Sequence, residues 1–200
     1  MLVGGVPLLA AATGQQGTTR EQDVGIVPAA GVARVQPGGS ADLTATTSAG
    51  AAASPPVRLR LARLDVDASV RPVSVGADGL LAVPTDPRQV GWWSSSARPA
   101  AASGSIVIAG HVDSATLGLG ALFRLREARA GDTVTLVDAS ETSTRYTVVA
   151  RRSYPKATLP AAEVFALDAG PRLVLITCGG RFDQTTRHYD DNIVVYAVAR

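Results

Sequence analysis

Short apolar runs of strand length, set between turn-forming residues, constrain this chain more than any other feature. Val57-Arg58-Leu59-Arg60-Leu61 alternates apolar and charged residues, the period-2 mark of a half-buried strand. Leu80–Val83, Ile106–Ala109, Thr133–Val137, Tyr146–Val149, Leu173–Ile176 and Ile193–Tyr196 also read as strands. Gly76-Ala77-Asp78-Gly79, Pro84-Thr85-Asp86-Pro87 and Gly131-Asp132 punctuate them as turns. Only Leu122–Arg126 and Pro160–Phe165 read as short helices. Many short strands with few helices predict a mainly β fold, either a closed barrel or a sandwich. With aromatics at 4%, small aliphatic residues must fill the core.

The strand-like texture begins only at Val57. Residues 1–13 form an apolar stretch, too short to span a bilayer, since a spanning helix needs about 20 apolar residues. It is expected to be the remnant of a membrane anchor. Residues 14–56 are dominated by Ala, Gly, Thr, Ser, Gln and Pro and contain no aromatic. Such a segment buries too little apolar surface to offset its ordering entropy and is expected to be a flexible tether. A tether of that length would reach roughly 35 Å on average. Residues 57–200 form the expected folded domain.

The net charge of +2 and the scatter of the arginines, with no run of like charge, give no footing for nucleic-acid binding. No motif for a cofactor or a metal is present, although His111, Asp113 and His188 are metal-ligating residue types. Cys178 is the only cysteine, which excludes an internal disulfide. A lone cysteine is either a buried small apolar residue or, in an exported protein, a thiol that is used.

Two runs deliver reactive side chains from strand to loop. Ile106-Val107-Ile108-Ala109-Gly110 ends at His111, and Leu173-Val174-Leu175-Ile176-Thr177 ends at Cys178, followed by Gly179-Gly180. A rigid strand presents a side chain at its exit with little freedom to wander. A catalytic thiol needs a neighbour that takes or balances its proton, and His111 and His188 are the only imidazoles. Gly110 allows a turn or a close approach, and the paired glycines leave room for a peptide backbone to pass the sulfur. These residues alone leave two readings open: a Cys–His site, or a buried cysteine and a hydrogen-bonded strand-end histidine.

Ala109-Gly110-His111 followed by Leu175-Ile176-Thr177-Cys178 near the C-terminus resembles the signature of the sortases. Further motifs resemble the actinobacterial class F members. They are Pro84-Thr85-Asp86-Pro87 with Val90-Gly91-Trp92-Trp93, Gly110-His111-Val112-Asp113-Ser114, Phe123-Arg124-Leu125 before Gly131-Asp132, and Thr177-Cys178-Gly179-Gly180-Arg181-Phe182-Asp183 with Tyr189-Asp190-Asp191-Asn192. The resemblance spans about Val57 to Ala199. It implies a closed eight-stranded β-barrel and a cysteine transpeptidase that cleaves an LPxTG-like sorting signal between Thr and Gly. It implies Cys178 as nucleophile, His111 as proton-transfer partner and an arginine that steadies peptide and oxyanion. No arginine stands at the start of the last strand, where better-known sortases carry it, so Arg187 is the first candidate, with Arg181 and Arg124 behind it. Thr177, Asp113 and Arg181 are substrate-binding candidates, and His188 is expected to be exposed and nonessential. One of Trp92 and Trp93 is expected in the core and the other partly exposed. No cofactor is implied. The implied partners are sorting-signal peptides of secreted proteins and an amine acceptor of the cell wall. The implied location is extracytoplasmic, at the cell surface, with the membrane met only through the N-terminus. A cysteine protease using the same thioacyl intermediate, and a noncatalytic peptide-binding barrel, are the alternatives.

Overall fold

In the computed structural model, which describes residues 23–28, 54–77 and 79–200, extended backbone dominates. The strands are β1 (Val24–Gly25), β2 (Pro56–Leu61), β3 (Val66–Val73), β4 (Val90–Trp93), β5 (Ser105–Gly110), β6 (Asp113–Ser114), β7 (Gly118–Leu119), β8 (Thr133–Asp138), β9 (Ser143–Pro155), β10 (Arg172–Asp183) and β11 (His188–Ala199). The only α-helix among the described residues is α1 (Ala161–Val164). The strands run β9-β11-β10-β5-β4-β3-β2-β8, and β8 pairs with β9 again, closing an eight-stranded barrel. Most neighbours are antiparallel, but β3–β4 and β5–β10 are parallel. β6 and β7 form a separate small hairpin.

Burial explains which strands alternate in sequence and which do not. In β2 and β3 every second side chain (Leu59, Leu61, Val66, Ala68, Val70) enters the barrel, and the residues between them face out. β5 and β10 are covered on both faces, so they read as unbroken apolar runs. Their inner series (Ile106, Ile108, Leu173, Leu175) joins the barrel core. Their outer series (Val107, Ala109, Val174, Ile176) joins a second cluster with Val194 and Tyr196. Val27, Leu81, Val83, Trp93, Tyr154, Leu159 and Phe165 pack against that outer cluster.

The differences from the sequence reading have local causes. Leu80–Val83 is not a strand: it makes one bridge, Val75 to Leu81, and its apolar side chains serve as cover for the outer cluster. β3 and β4 add to the expected strands: β3 keeps a period-2 alternation over Val66–Arg71, and Gly91 interrupts the apolar run of the four-residue β4. Leu122–Arg126 is a chain of turns ending in a short 3-10 segment at Leu125–Glu127 rather than a helix. Trp92 is buried, with its indole N–H donating to the Ala97 carbonyl, while half-buried Trp93 meets Phe165 edge to face.

The expected anchor remnant, residues 1–13, lies outside the described residues, as does most of 14–56. Two described parts of that span belong to the fold: Pro56 opens β2, and β1 lies along β9 with Val24 opposite Arg151 and Gly25 opposite Ala150. Arg152 grips β1, its guanidinium donating to the carbonyls of Val24 and Gly25, each at 2.7 Å. At the base of β10 the buried Arg172 donates to Ser105 Oγ at 2.9 Å, to the Pro28 carbonyl at 3.1 Å and to the Glu163 carbonyl. A buried guanidinium needs such acceptors, and one of them comes from this early segment.

Gly25 has φ +72°, and a Cβ there would lie 1.9 Å from the Val149 carbonyl oxygen. Gly25→Ala is expected to detach β1 from β9. Limited proteolysis should then cut near residues 23–28, with the barrel's melting transition retained.

Candidate active site

The parallel ladder between β5 and β10 brings the two reactive residues together. It runs from Arg172 opposite Ser105 to Ile176 opposite Ala109. Two residues on from the last pair, Cys178 lies within β10 and His111 just past the end of β5, so both stand at the same end of the barrel. Thr177, only 3% exposed, ties the strands at this point by donating its hydroxyl to the Gly110 carbonyl at 2.8 Å. By strand alternation Cys178 continues the outward series of Val174 and Ile176, and His111 that of Val107 and Ala109. Both are half-buried, so the sulfur is reachable rather than sealed in the core.

Glycines set these exits by contact. A Cβ on Gly110 would lie 2.9 Å from a Val90 methyl and 3.1 Å from Leu122. The close approach, not a turn, is its role. One on Gly120 would lie 2.1 Å from the His111 carbonyl oxygen, and the Gly120 N–H donates to the Val112 carbonyl at 2.9 Å. The loop leaving β7 thus folds back onto the backbone that carries His111. Beyond Cys178, a Cβ on Gly179 would meet the core side chain Ile193 at 2.5 Å. Gly180 has φ +75° at a bulge, where the pairing jumps from Gly179–Asp191 to Phe182–Tyr189. The paired glycines therefore answer to the protein's own packing and to a bend in the hairpin.

A cavity of about 30 Å³, room for about one or two waters, opens beside the sulfur. Cys178, Thr177, Gly179, Val112, Phe123, Arg126, Tyr189 and Ile193 line it, with Gly180 at its edge. The Tyr189 hydroxyl donates to Asp113 Oδ2, and its ring packs against Phe182 at 5.0 Å between centroids. This hydrogen bond pushes the Tyr189 phenol up to about 12, with burial and the negative charges of Asp113 and Cys178 adding to it. It also joins the loop after His111 to the hairpin after Cys178.

The other expected residues are placed differently. Thr177 braces two strands, its hydroxyl donating to the Gly110 carbonyl. Asp113 holds Tyr189. Arg187 sits in the turn that closes the β10–β11 hairpin, exposed, with φ +59°, beyond the Asp183–His188 pair. Arg181 is exposed and pairs with Asp190 at 3.5 Å. Arg124 binds Glu127 at 2.9 Å and Asp65 at 2.6 Å, away from the sulfur. His188 is exposed on the same hairpin. The guanidinium that lines the Cys178 cavity belongs to Arg126, which also stacks over Phe123 at 4.8 Å. Arg126 had been read only as the end of a short helix, and nothing in its neighbours along the chain marks it.

A closed β-barrel that sets a cysteine and a histidine at the ends of two adjacent parallel strands has the architecture of a thiol-dependent acyl-transfer enzyme. The model of the Sortase domain matches residues 59–200. The chain belongs to the sortase family of cysteine transpeptidases, which act on sorting-signal peptides and amine acceptors. Solved structures agree on the fold. Sortase A from Corynebacterium diphtheriae matches with TM-score 0.55 and 19% identity over 74% of this chain, which spans 62% of that one. Sortase E1 from Streptomyces coelicolor with a tripeptide in its active site gives 0.54 and 15% over 74% of this chain and 88% of that one. Sortase C-1 from Actinomyces oris gives 0.55 and 17% over 72% and 74%. A search of curated proteins found no match.

Thr177→Val keeps the shape but leaves the Gly110 carbonyl without its partner. It is expected to cost about 1–3 kcal/mol in urea unfolding. For Tyr189 the folded value lies above the ordinary 10, so its hydrogen bond to Asp113 holds below pH 10 and its contribution to stability is lost as pH rises through about 12. In a spectrophotometric titration, Asp113→Asn should bring this phenol back toward 10.

Proposed function

We propose that this chain is a sortase of the class F type that cleaves an LPxTG-like sorting signal between Thr and Gly and passes the acyl group to a cell-wall amine. The observation that carries the reading is the β5–β10 register, which sets Ala109-Gly110-His111 beside Ile176-Thr177-Cys178. His111 takes the thiol proton, and the Cys178 thiolate attacks the Thr carbonyl carbon to form a tetrahedral oxyanion. The intermediate collapses as the C–N bond breaks. His111 returns its proton to the departing Gly nitrogen, and a thioester remains on sulfur. The incoming amine attacks that thioester, gives a proton to His111 and leaves an amide, with the thiolate restored.

The positive charge of Arg126 at the cavity favours the thiolate over the thiol, a role the sequence had offered to Arg187. Half-buried Leu81, Val83 and Leu159, which cover Ala109 and Ile176 on the outer face, offer apolar contacts to the Leu-Pro end of a sorting signal. Such a substrate places the enzyme outside the cytoplasm, at the cell surface, with its N-terminal segment toward the membrane.

Incubation with an LPxTG-like peptide should add the acyl mass of its N-terminal part to Cys178, and Cys178→Ala should abolish both adduct and cleavage. With triglycine present the product should be the ligated peptide; hydrolysis alone, with and without triglycine, would point to a protease. Arg126→Ala should slow acylation by about 10-fold or more, the loss expected when a charge that favours the thiolate is removed, while Arg187→Ala changes it less.

A further inference from the structure

We infer that the side-chain donor for the oxyanion at this site is Asn192, a catalytic residue on β11 within the stretch where an arginine was expected. The inference rests on Cys178 being the nucleophile.

Three strand pairings build one row across the outer face of the barrel. β11 places Asn192 directly opposite Cys178 of β10. On the other side of β11, Tyr154 of β9 stands opposite Asn192. On the other side of β10, the parallel ladder reaches Ile176 opposite Ala109, and continued by two residues along each chain it sets His111 level with Cys178. Residues directly opposite in a sheet share a face, with Cβ atoms about 4.5–5.5 Å apart. The order across the sheet is therefore Tyr154, Asn192, Cys178, His111. The sulfur has an imidazole on one flank and a carboxamide on the other.

That arrangement matches what acylation of a thiol requires. One flank must move protons to and from the leaving and entering nitrogens, and the other must donate to the carbonyl oxygen as it gains charge. A carboxamide N–H₂ is a competent donor of this kind. Asn192 is half-buried, and its carboxamide forms no hydrogen bond among the described residues, so it is not committed elsewhere.

The other polar groups near the sulfur are occupied or turned away. The Thr177 hydroxyl goes to Gly110, and that of Tyr189 goes to Asp113. Arg181 pairs with Asp190, and Arg187 lies in the hairpin turn. Arg126 lines a cavity together with Cys178 and Tyr189 and stacks over Phe123 at 4.8 Å. Its charge reaches the thiolate, while a short donor to an oxyanion on the outer face falls to Asn192.

Two reagents separate this role from a general effect on the thiol. With p-nitrophenyl acetate, the Cys178 thiolate attacks the ester carbonyl through an oxyanion. The C–O bond breaks, p-nitrophenolate leaves with the electron pair, and an acetyl thioester remains on sulfur. With iodoacetamide, sulfur displaces iodide in one step and no oxyanion forms. In Asn192→Ala and in Asn192→Leu, which keeps the bulk without the donor, acylation is expected to slow about 100-fold while alkylation is unchanged. Acylation at the parent rate in both variants, or equal slowing of both reactions, would overturn the assignment. Neither reagent carries a sorting signal. A chain that shows the acylation difference yet leaves LPxTG-like peptides and triglycine untouched retains Asn192 as donor and loses the transpeptidase reading. A parent Cys178 inert to both reagents defeats both.

Discussion

The parallel pairing of β5 with β10, closed by the hydroxyl of Thr177 on the carbonyl of Gly110, is the contact on which the site depends. The two strands lie far apart in sequence, yet their ladder sets the exits of both at one level. Each strand is buried on both faces, and a one-residue slip would turn every side chain of β10 to the opposite face. The inner face carries Leu173 and Leu175 into the barrel, and the outer face packs Val174 and Ile176 against Val194 and Tyr196. The register that positions Cys178 is thus held by two apolar layers at once.

Around this pair the molecule tightens the loops by contact more than by charge. Gly110, Gly120 and Gly179 each lie where a Cβ would strike a neighbour, and all three are next to His111 or Cys178 along the chain or in space. The Tyr189–Asp113 hydrogen bond then links the two loops across the cavity. Most ion pairs lie at the exposed surface, such as Arg58 with Asp67 and Arg88 with Asp86, where solvent screening leaves them little weight. Arg172 is the exception among the arginines. Its burial at the foot of β10 is satisfied partly by the Pro28 carbonyl, so a short early segment supports the strand that carries Cys178.

The outer face gives the site its surroundings. Strand alternation sends Cys178 to the outer face of the barrel and away from its interior. The small cavity lined by Arg126 and Tyr189 also takes in Cys178 and Thr177. Leu81 and Val83, from a stretch expected as a strand, serve instead as cover for that face.

The chain's local pattern by itself determined the β character, the extended runs on either side of the site, and the exposure of one cysteine and one histidine at strand exits. Those properties depend on neighbours along the chain, because alternation and turn chemistry act over a few residues. It also made the sortase resemblance visible through ordered motifs. Which residues stand beside the sulfur was decided only by the folded sheet. Thr177 read as a substrate contact and is a brace, Arg187 read as the site's cation and lies in a hairpin turn, and Arg126 and Asn192 carried no local mark at all. Cross-strand register and barrel closure link positions tens of residues apart, and that pairing is set by burying two faces together, which no window along the chain contains.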